Sequence, residues 1–121
     1  MIKSKYVAVP NGVVFLSDPS GGKIPEPVRG AMFLSTSSCI GIGCKVDCEG
    51  DVEFVIGLDQ EVNPGEQPAF AGTLATPNRA VVVSSVRGEA ILAVDVPTVS
   101  TEVRIWVNDP SEPDRVVVGL G

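Results

Sequence analysis

Proline and glycine interrupt this chain so often that no segment is left for a long helix. The 10 Pro and 13 Gly fall in clusters such as Pro10-Asn11-Gly12, Asp18-Pro19-Ser20-Gly21-Gly22, Asn63-Pro64-Gly65 and Thr76-Pro77-Asn78, each a turn by local chemistry. Between them lie short runs rich in Val, Ile and Leu. With 44% hydrophobic but only 5% aromatic residues, the core has to be aliphatic, the composition of β-strands. Strands are expected near residues 5–9, 13–16, 31–35, 68–75, 79–84, 90–96, 101–107 and 115–118, with two more inside 38–58. About ten short strands with turns every 8–12 residues predict an all-β fold: one antiparallel β-sandwich, jelly-roll-like, spanning residues 1–121.

The most strand-like stretch is 38–58, SCIGIGCKVDCEGDVEFVIGL. Side chains alternate faces along a strand, so Ile40, Ile42, Cys44 and Val46 share one face and Val52, Phe54, Ile56 and Leu58 share another. Read as a hairpin, the two runs need an odd-length loop, and Cys48-Glu49-Gly50 supplies it with Gly50 at positive φ. The expected pairs are then Val46 with Val52, Cys44 with Phe54, Ile42 with Ile56 and Ile40 with Leu58. On the opposite face Lys45 meets Glu53, and Gly41 meets Gly57 with Gly43 alongside. Glycine inside a strand marks a bulge or the close approach of another group. This glycine floor is expected either to lie under a loop, with 59–67 the candidate, or to dock another chain. A second hairpin is expected over 90–107, pairing Val94 with Val103 and Leu92 with Ile105 across Pro97 to Ser100. The valines at 81 to 83 predict a strand covered on both faces, and 31–35 reads as buried.

Several functions are excluded by what the chain lacks. Histidine is absent, which removes Ser-His-Asp and Cys-His catalysis and His-based zinc sites. Gly41-Ile42-Gly43 is followed by no helix start, so it is no phosphate loop. The net charge of −6 disfavours nucleic acid and anionic membranes and suits a basic protein partner. No run approaches a membrane span, and no signal peptide is recognisable at the start; the expected location is the cytoplasm. Cys39, Cys44 and Cys48 have no CxxC pair, and strand parity separates Cys39 from Cys44, so no metal or cofactor is expected. Cys44 and Cys48 would lie about 13 Å apart in an extended strand, too far for a disulfide. Cys44 reads as a buried hydrophobe and the other two as exposed or turn thiols.

The candidate binding residues are of three kinds. Asp47, Glu49, Asp51 and Glu53 form an acidic hairpin tip, with Asp59, Glu61 and Glu66 near in sequence; they read as a rim for a basic partner, a calcium loop or solvated surface. Gly41, Gly43 and Gly57 form the glycine floor. Glu102, Arg104 and Trp106 share the outward face of one strand, where Trp106 is either an interface anchor or a side chain covered by a neighbouring loop with Arg104 stacked on it.

The SSCIGIGCKVDCEGDVEFVIG run followed by AILAVDVP and TEVRIWVND, in a short acidic chain, resembles small bacterial β-sandwich proteins of the immunity and nuclease-inhibitor type, including the competence-associated nuclease inhibitors. That resemblance implies a cytoplasmic, non-enzymatic protein that binds and blocks a nuclease or toxin of the same cell. The alternatives are a homo-oligomer joined at the glycine floor and Trp106, and a calcium-dependent binder or an enzyme working through acidic residues.

Overall fold

In a computed structural model, which describes residues 2–121, the chain forms ten strands in two stacked five-stranded sheets. They are β1 (Lys3–Val7), β2 (Val13–Ser17), β3 (Phe33–Ser35), β4 (Cys39–Gly43), β5 (Val52–Leu58), β6 (Phe70–Ala75), β7 (Ala80–Ser85), β8 (Ala90–Asp95), β9 (Ser100–Val107) and β10 (Arg115–Leu120), with a one-turn helix α1 (Asp59–Val62) after β5. One sheet runs β1-β5-β10-β9-β6 and the other β3-β4-β2-β7-β8. All neighbours are antiparallel except β5 and β10, which run parallel.

The alternation of side chains explains why the two sheets stack. Val52, Phe54 and Ile56 of β5, Val116, Val118 and Leu120 of β10, and Val103 and Ile105 of β9 point inward from one sheet. Val14 and Leu16, Ile40 and Ile42, and Val81 and Val83 meet them from the other, forming one continuous core. Burying each such side chain contributes about 1.5–3 kcal/mol, so the core is the main source of stability. Val46 and Leu58 are half-buried and outside this core, but for Ile40, Ile42, Cys44, Val52, Phe54 and Ile56 the inward face expected within 38–58 is therefore right.

The pairing expected for that stretch is not. β4 and β5 lie in different sheets, so 44–51 is a corner between layers rather than a hairpin turn. Ile42 pairs with Val14 and Phe33, Phe54 with Lys5 and Val116. Lys45 and Glu53 do not face each other: Lys45 binds Asp114 at 3.4 Å and Glu53 binds Arg115 at 3.0 Å. The 90–107 hairpin is also a corner, with Val94 on Val81 in one sheet and Val103 on Leu120 in the other. β8 instead forms a hairpin with β7, joined through the Arg87-Gly88 turn and carrying an irregularity at Val83/Ser84. Its middle valine, Val82, is half-buried rather than enclosed, and β3 is an edge strand with no buried residue.

Splitting the hairpin also splits the glycine floor. Gly41 and Gly43 lie on one sheet under the 18–32 loop, where a Cβ at 41 would sit 3.7 Å from Pro25 Cγ and one at 43 would sit 3.5 Å from the Met32 carbonyl. Cys39 is buried on that same face, not exposed. Gly57 belongs to the other sheet, where it pairs with Gly119. A Cβ at 57 would come within 3.1 Å of Val62, and one at 119 within 3.0 Å of both Asp59 Oδ1 and Trp106 Cζ3. The two glycines thus let α1 settle onto the sheet, and the expectation that 59–67 is a covering segment holds for Gly57.

The sheet margins are closed by local contacts that blunt the exposed edges. Lys3 Nζ donates to Ala93 O at 2.7 Å, tying β1 to β8. On the other side the Ala75 amide donates to Ser37 O at 2.8 Å, and the Phe33 and Phe70 rings lie 5.4 Å apart.

Asp18, at the end of β2, is 2% exposed and fixes the turn before β7. Its carboxylate accepts from the Ser20 amide and hydroxyl and from the Asn78 amide and side chain, all within 2.9 Å. Burial alone would push this carboxyl up, but the four hydrogen bonds outweigh it and hold the pKa at about 2, below the ordinary 3.8. A depressed folded-state pKa means that ionised Asp18 stabilises the fold fully above about pH 4 and loses that effect as the pH falls through about 2. Asp18→Asn is accordingly expected to lower the urea midpoint by most above pH 4, with the gap to wild type closing toward pH 2. A gap independent of pH would show that the ionised carboxylate is not the stabilising form.

Candidate protein-binding surface

The corner 44–51 is held from both sides. The Cys44 amide donates to Gly12 O at 2.8 Å and the Asp47 amide to Val9 O at 3.0 Å; the Lys45 and Glu53 amides donate to Pro113 O and Asp114 O at 3.0 and 2.8 Å. Gly12 has φ +64, and a Cβ there would stand 2.6 Å from the Cys44 carbonyl, so only glycine allows this approach. Asp47 opens a single 3-10 turn through Glu49, ended by Gly50 at φ 138. The positive φ expected of Gly50 is present, although the turn joins two sheets.

These bonds bring the corner against the loop between β9 and β10, a neighbour that local sequence does not reveal. That loop contributes Asp109, Glu112 and Asp114, which join Asp47, Glu49, Asp51 and Glu53 at one end of the sandwich. Seven carboxylates and two cations, Lys45 and Arg115, leave five negative charges there, against −6 for the whole chain. Both cations are already committed, Lys45 to Asp114 and Arg115 to Glu53. Such exposed pairs contribute little to stability, about 0–1 kcal/mol each; their effect is to leave the remaining carboxylates as the outward charge.

The loop is ordered by its own side chains. Asp109 Oδ1 accepts from the Ser111 amide and hydroxyl and the Glu112 amide at 2.8, 2.9 and 3.0 Å. Asn108 Oδ1 accepts from the Asp114 and Arg115 amides, both at 3.1 Å, while its amide nitrogen donates to Asp114. The Glu112 and Ser111 amides hold the Asp109 carboxyl below the usual range, and the Asn108 side chain followed by Lys45 does the same for Asp114. Asp47, Glu49, Asp51, Glu112 and Asp114 are exposed; Glu53 and Asp109 are half-buried. The result is a fixed anionic surface. Among the described residues, no three His, Cys, Asp or Glu side chains are placed to hold a metal ion together.

The other expected site residues lie elsewhere. Asp59 is at the far end of β5, roughly 26 Å from Asp51 along an extended strand. It is paired there with Arg104 at 3.3 Å, and Arg104 also reaches Glu102 at 3.6 Å. Trp106 is 6% exposed and donates from Nε1 to Glu66 O at 3.0 Å. The chain's own 59–67 segment lies over it through this bond, while Arg104 is paired with Asp59 and Glu102 rather than stacked on the ring. Cys39, Cys44 and Cys48 are free; burial pushes the Cys44 thiol up to about 12, and only Cys48 is exposed.

Two antiparallel-rich sheets around one aliphatic core define this chain as an all-β sandwich, and its fold is one already seen in solved structures. It matches ComJ from Bacillus subtilis, an inhibitor of the DNA degrading activity of NucA, with a TM-score of 0.70 and 10% identity over 99% of this chain and 97% of that one. It also matches the protein described as crocagin biosynthetic gene J, with a TM-score of 0.53 and 9% identity over 99% of this chain and 96% of that one. At such identities the likeness is one of fold, and it agrees with the resemblance to nuclease inhibitors read from the sequence. No protein-family model and no curated protein sequence matches the chain. No helix among the described residues is long and apolar enough to cross a membrane.

Proposed function

We propose that this chain is a non-catalytic protein-binding module that inhibits a DNA-degrading enzyme by covering that enzyme's basic substrate surface with its acidic end. The observation that carries this reading is the gathering of Asp47, Glu49, Asp51, Asp109, Glu112 and Asp114 from two loops, and of Glu53 from the start of β5, which the backbone locks together. A nuclease has to bind the phosphate backbone and therefore presents clustered Lys and Arg. Carboxylates fixed on a stable framework oppose such a surface without first having to be ordered. The fold shared with ComJ supports the reading, as does the absence of histidine, which leaves the chain without the commonest general base. Three free thiols fit a reducing cytoplasm, the compartment where a cell needs to silence its own nuclease.

The test is the DNA-degrading activity of an extract of the source cell, titrated with the purified chain. Activity is expected to fall to a plateau at stoichiometric addition. Unchanged plasmid degradation at a large excess of the chain would overturn the proposal.

A further inference from the structure

Beside the acidic end, α1 and residues 63–69 arch over the outer face of the β1-β5-β10-β9-β6 sheet and enclose a cleft of about 460 Å³. Its floor is Val55, Trp106 and Val117, an apolar cluster on the opposite side of the sheet from the main core. One wall carries Glu66, and the other ends in Asn108 and Arg115. Arg115 is neutralised by Glu53 at 3.0 Å, so the cation at the mouth does not repel a second one. Asn108 is the residue that organises the acidic loop. The cleft and the anionic surface therefore share a border.

An apolar floor beside a carboxylate rim matches the usual anatomy of a protein interface, in which a buried anchor is ringed by polar groups. A second groove, of about 390 Å³ under Ile24, Val28 and Val86, is apolar too, but no charged residue lines it, so nothing there selects an occupant. At the Trp106 cleft the charge does select one. Resting on the function proposed above, we infer that this cleft is the apolar anchor of the partner interface and that it receives an aliphatic side chain flanked by Arg or Lys from a basic protein. The cations lie along the Glu66 and acidic-loop rim, where their heads stay in water, while the aliphatic side chain reaches the Trp106 floor.

Trp106 is the sole tryptophan, so its emission reports occupancy of the cleft. Three short capped peptides serve as probes at low salt: alternating Arg and Leu, all Lys, and alternating Glu and Leu. The Arg-Leu peptide is expected to change Trp106 emission saturably, and the Glu-Leu peptide to leave it unmoved. The all-Lys peptide should bind by calorimetry without changing the emission. Ala69→Phe, on an exposed residue at the cleft wall, narrows the cleft without touching any carboxylate. It should weaken the Arg-Leu peptide at least tenfold while leaving all-Lys binding intact. Gln67→Phe, also exposed on that wall, replaces it if the melting temperature of the first variant falls. Binding of all-Lys with no emission change from Arg-Leu would overturn the anchor and leave the acidic reading standing. Equal responses to Arg-Leu and Glu-Leu, or an Arg-Leu affinity unchanged in the narrowed variant, would overturn the anchor too. Failure of both cationic peptides to bind would remove the acidic reading and the anchor with it.

Discussion

Phe54→Ala is expected to lower the melting temperature by roughly 10–20 °C. Phe54 is 1% exposed and lies on β5 between Lys5 of β1 and Val116 of β10. It is the largest fully buried side chain in a core otherwise made of Val, Ile and Leu. Removing a buried phenyl ring costs about 3–5 kcal/mol, part from lost transfer out of water and part from the cavity left behind. A chain of this length has roughly 6–18 kcal/mol in total, and each kcal/mol shifts the transition by roughly 3–5 °C at this size. Phe54→Leu, which keeps most of the volume, should cost less than about 1.5 kcal/mol. Tyr6→Ala, on the exposed edge strand at 68% exposure, should change stability by less than about 0.5 kcal/mol. A thermal scan in which Phe54→Ala and Tyr6→Ala behaved alike would contradict the placement of the core.

Which residues face the core was legible from periodicity alone, and which strands are neighbours was not. Ile40 and Ile42 on one side of the corner and Phe54 and Ile56 on the other both point inward, and parity registers only that. Two strands of one ladder and two strands facing each other across a sandwich give the same alternation, so the even-sum condition on residue numbers could not separate them. In the structure β4 stops at Gly43, eight residues before Val52, longer than the two to five of most hairpin loops; the apolar Cys44 and Val46 prolonged the alternation and hid that gap. The same ambiguity misplaced the partners of Val94 and Val103.

The acidic surface was half legible. Asp47, Glu49, Asp51 and Glu53 stand out because they alternate around a glycine. Asp109, Glu112 and Asp114 join them only through the Lys45 and Glu53 amides and the parallel pairing of β5 with β10, contacts more than 60 residues apart in sequence. The glycines show the same limit. Gly57 was visible as a place of close approach, but its partner Gly119 lies in a run of valines at the other end of the chain.

Reversing the charge at the corner is expected to have the largest effect on binding. Glu49→Lys with Asp51→Lys changes the net charge from −6 to about −2, and both side chains are exposed, so the fold should hold to within about 0.5 kcal/mol per site. Against a basic surface each reversal removes an attraction and adds a repulsion, and close interfacial charge pairs couple by about 1.5–7 kcal/mol. A loss of at least about 100-fold in affinity follows, equivalent to about 2.8 kcal/mol. Because exposed charges are screened beyond about 10 Å at 0.1 M salt, wild-type binding should also weaken as salt rises, while the variant's weaker binding should depend on salt far less.

The direct measurement is inhibition of the source cell's DNA-degrading activity by wild type and by the Glu49→Lys, Asp51→Lys variant side by side, at low and at physiological salt. The acidic-end account predicts stoichiometric inhibition by wild type, eased by salt, and at least a 100-fold higher concentration of the variant for the same effect. Equal inhibition by the two proteins, unaffected by salt, would contradict it.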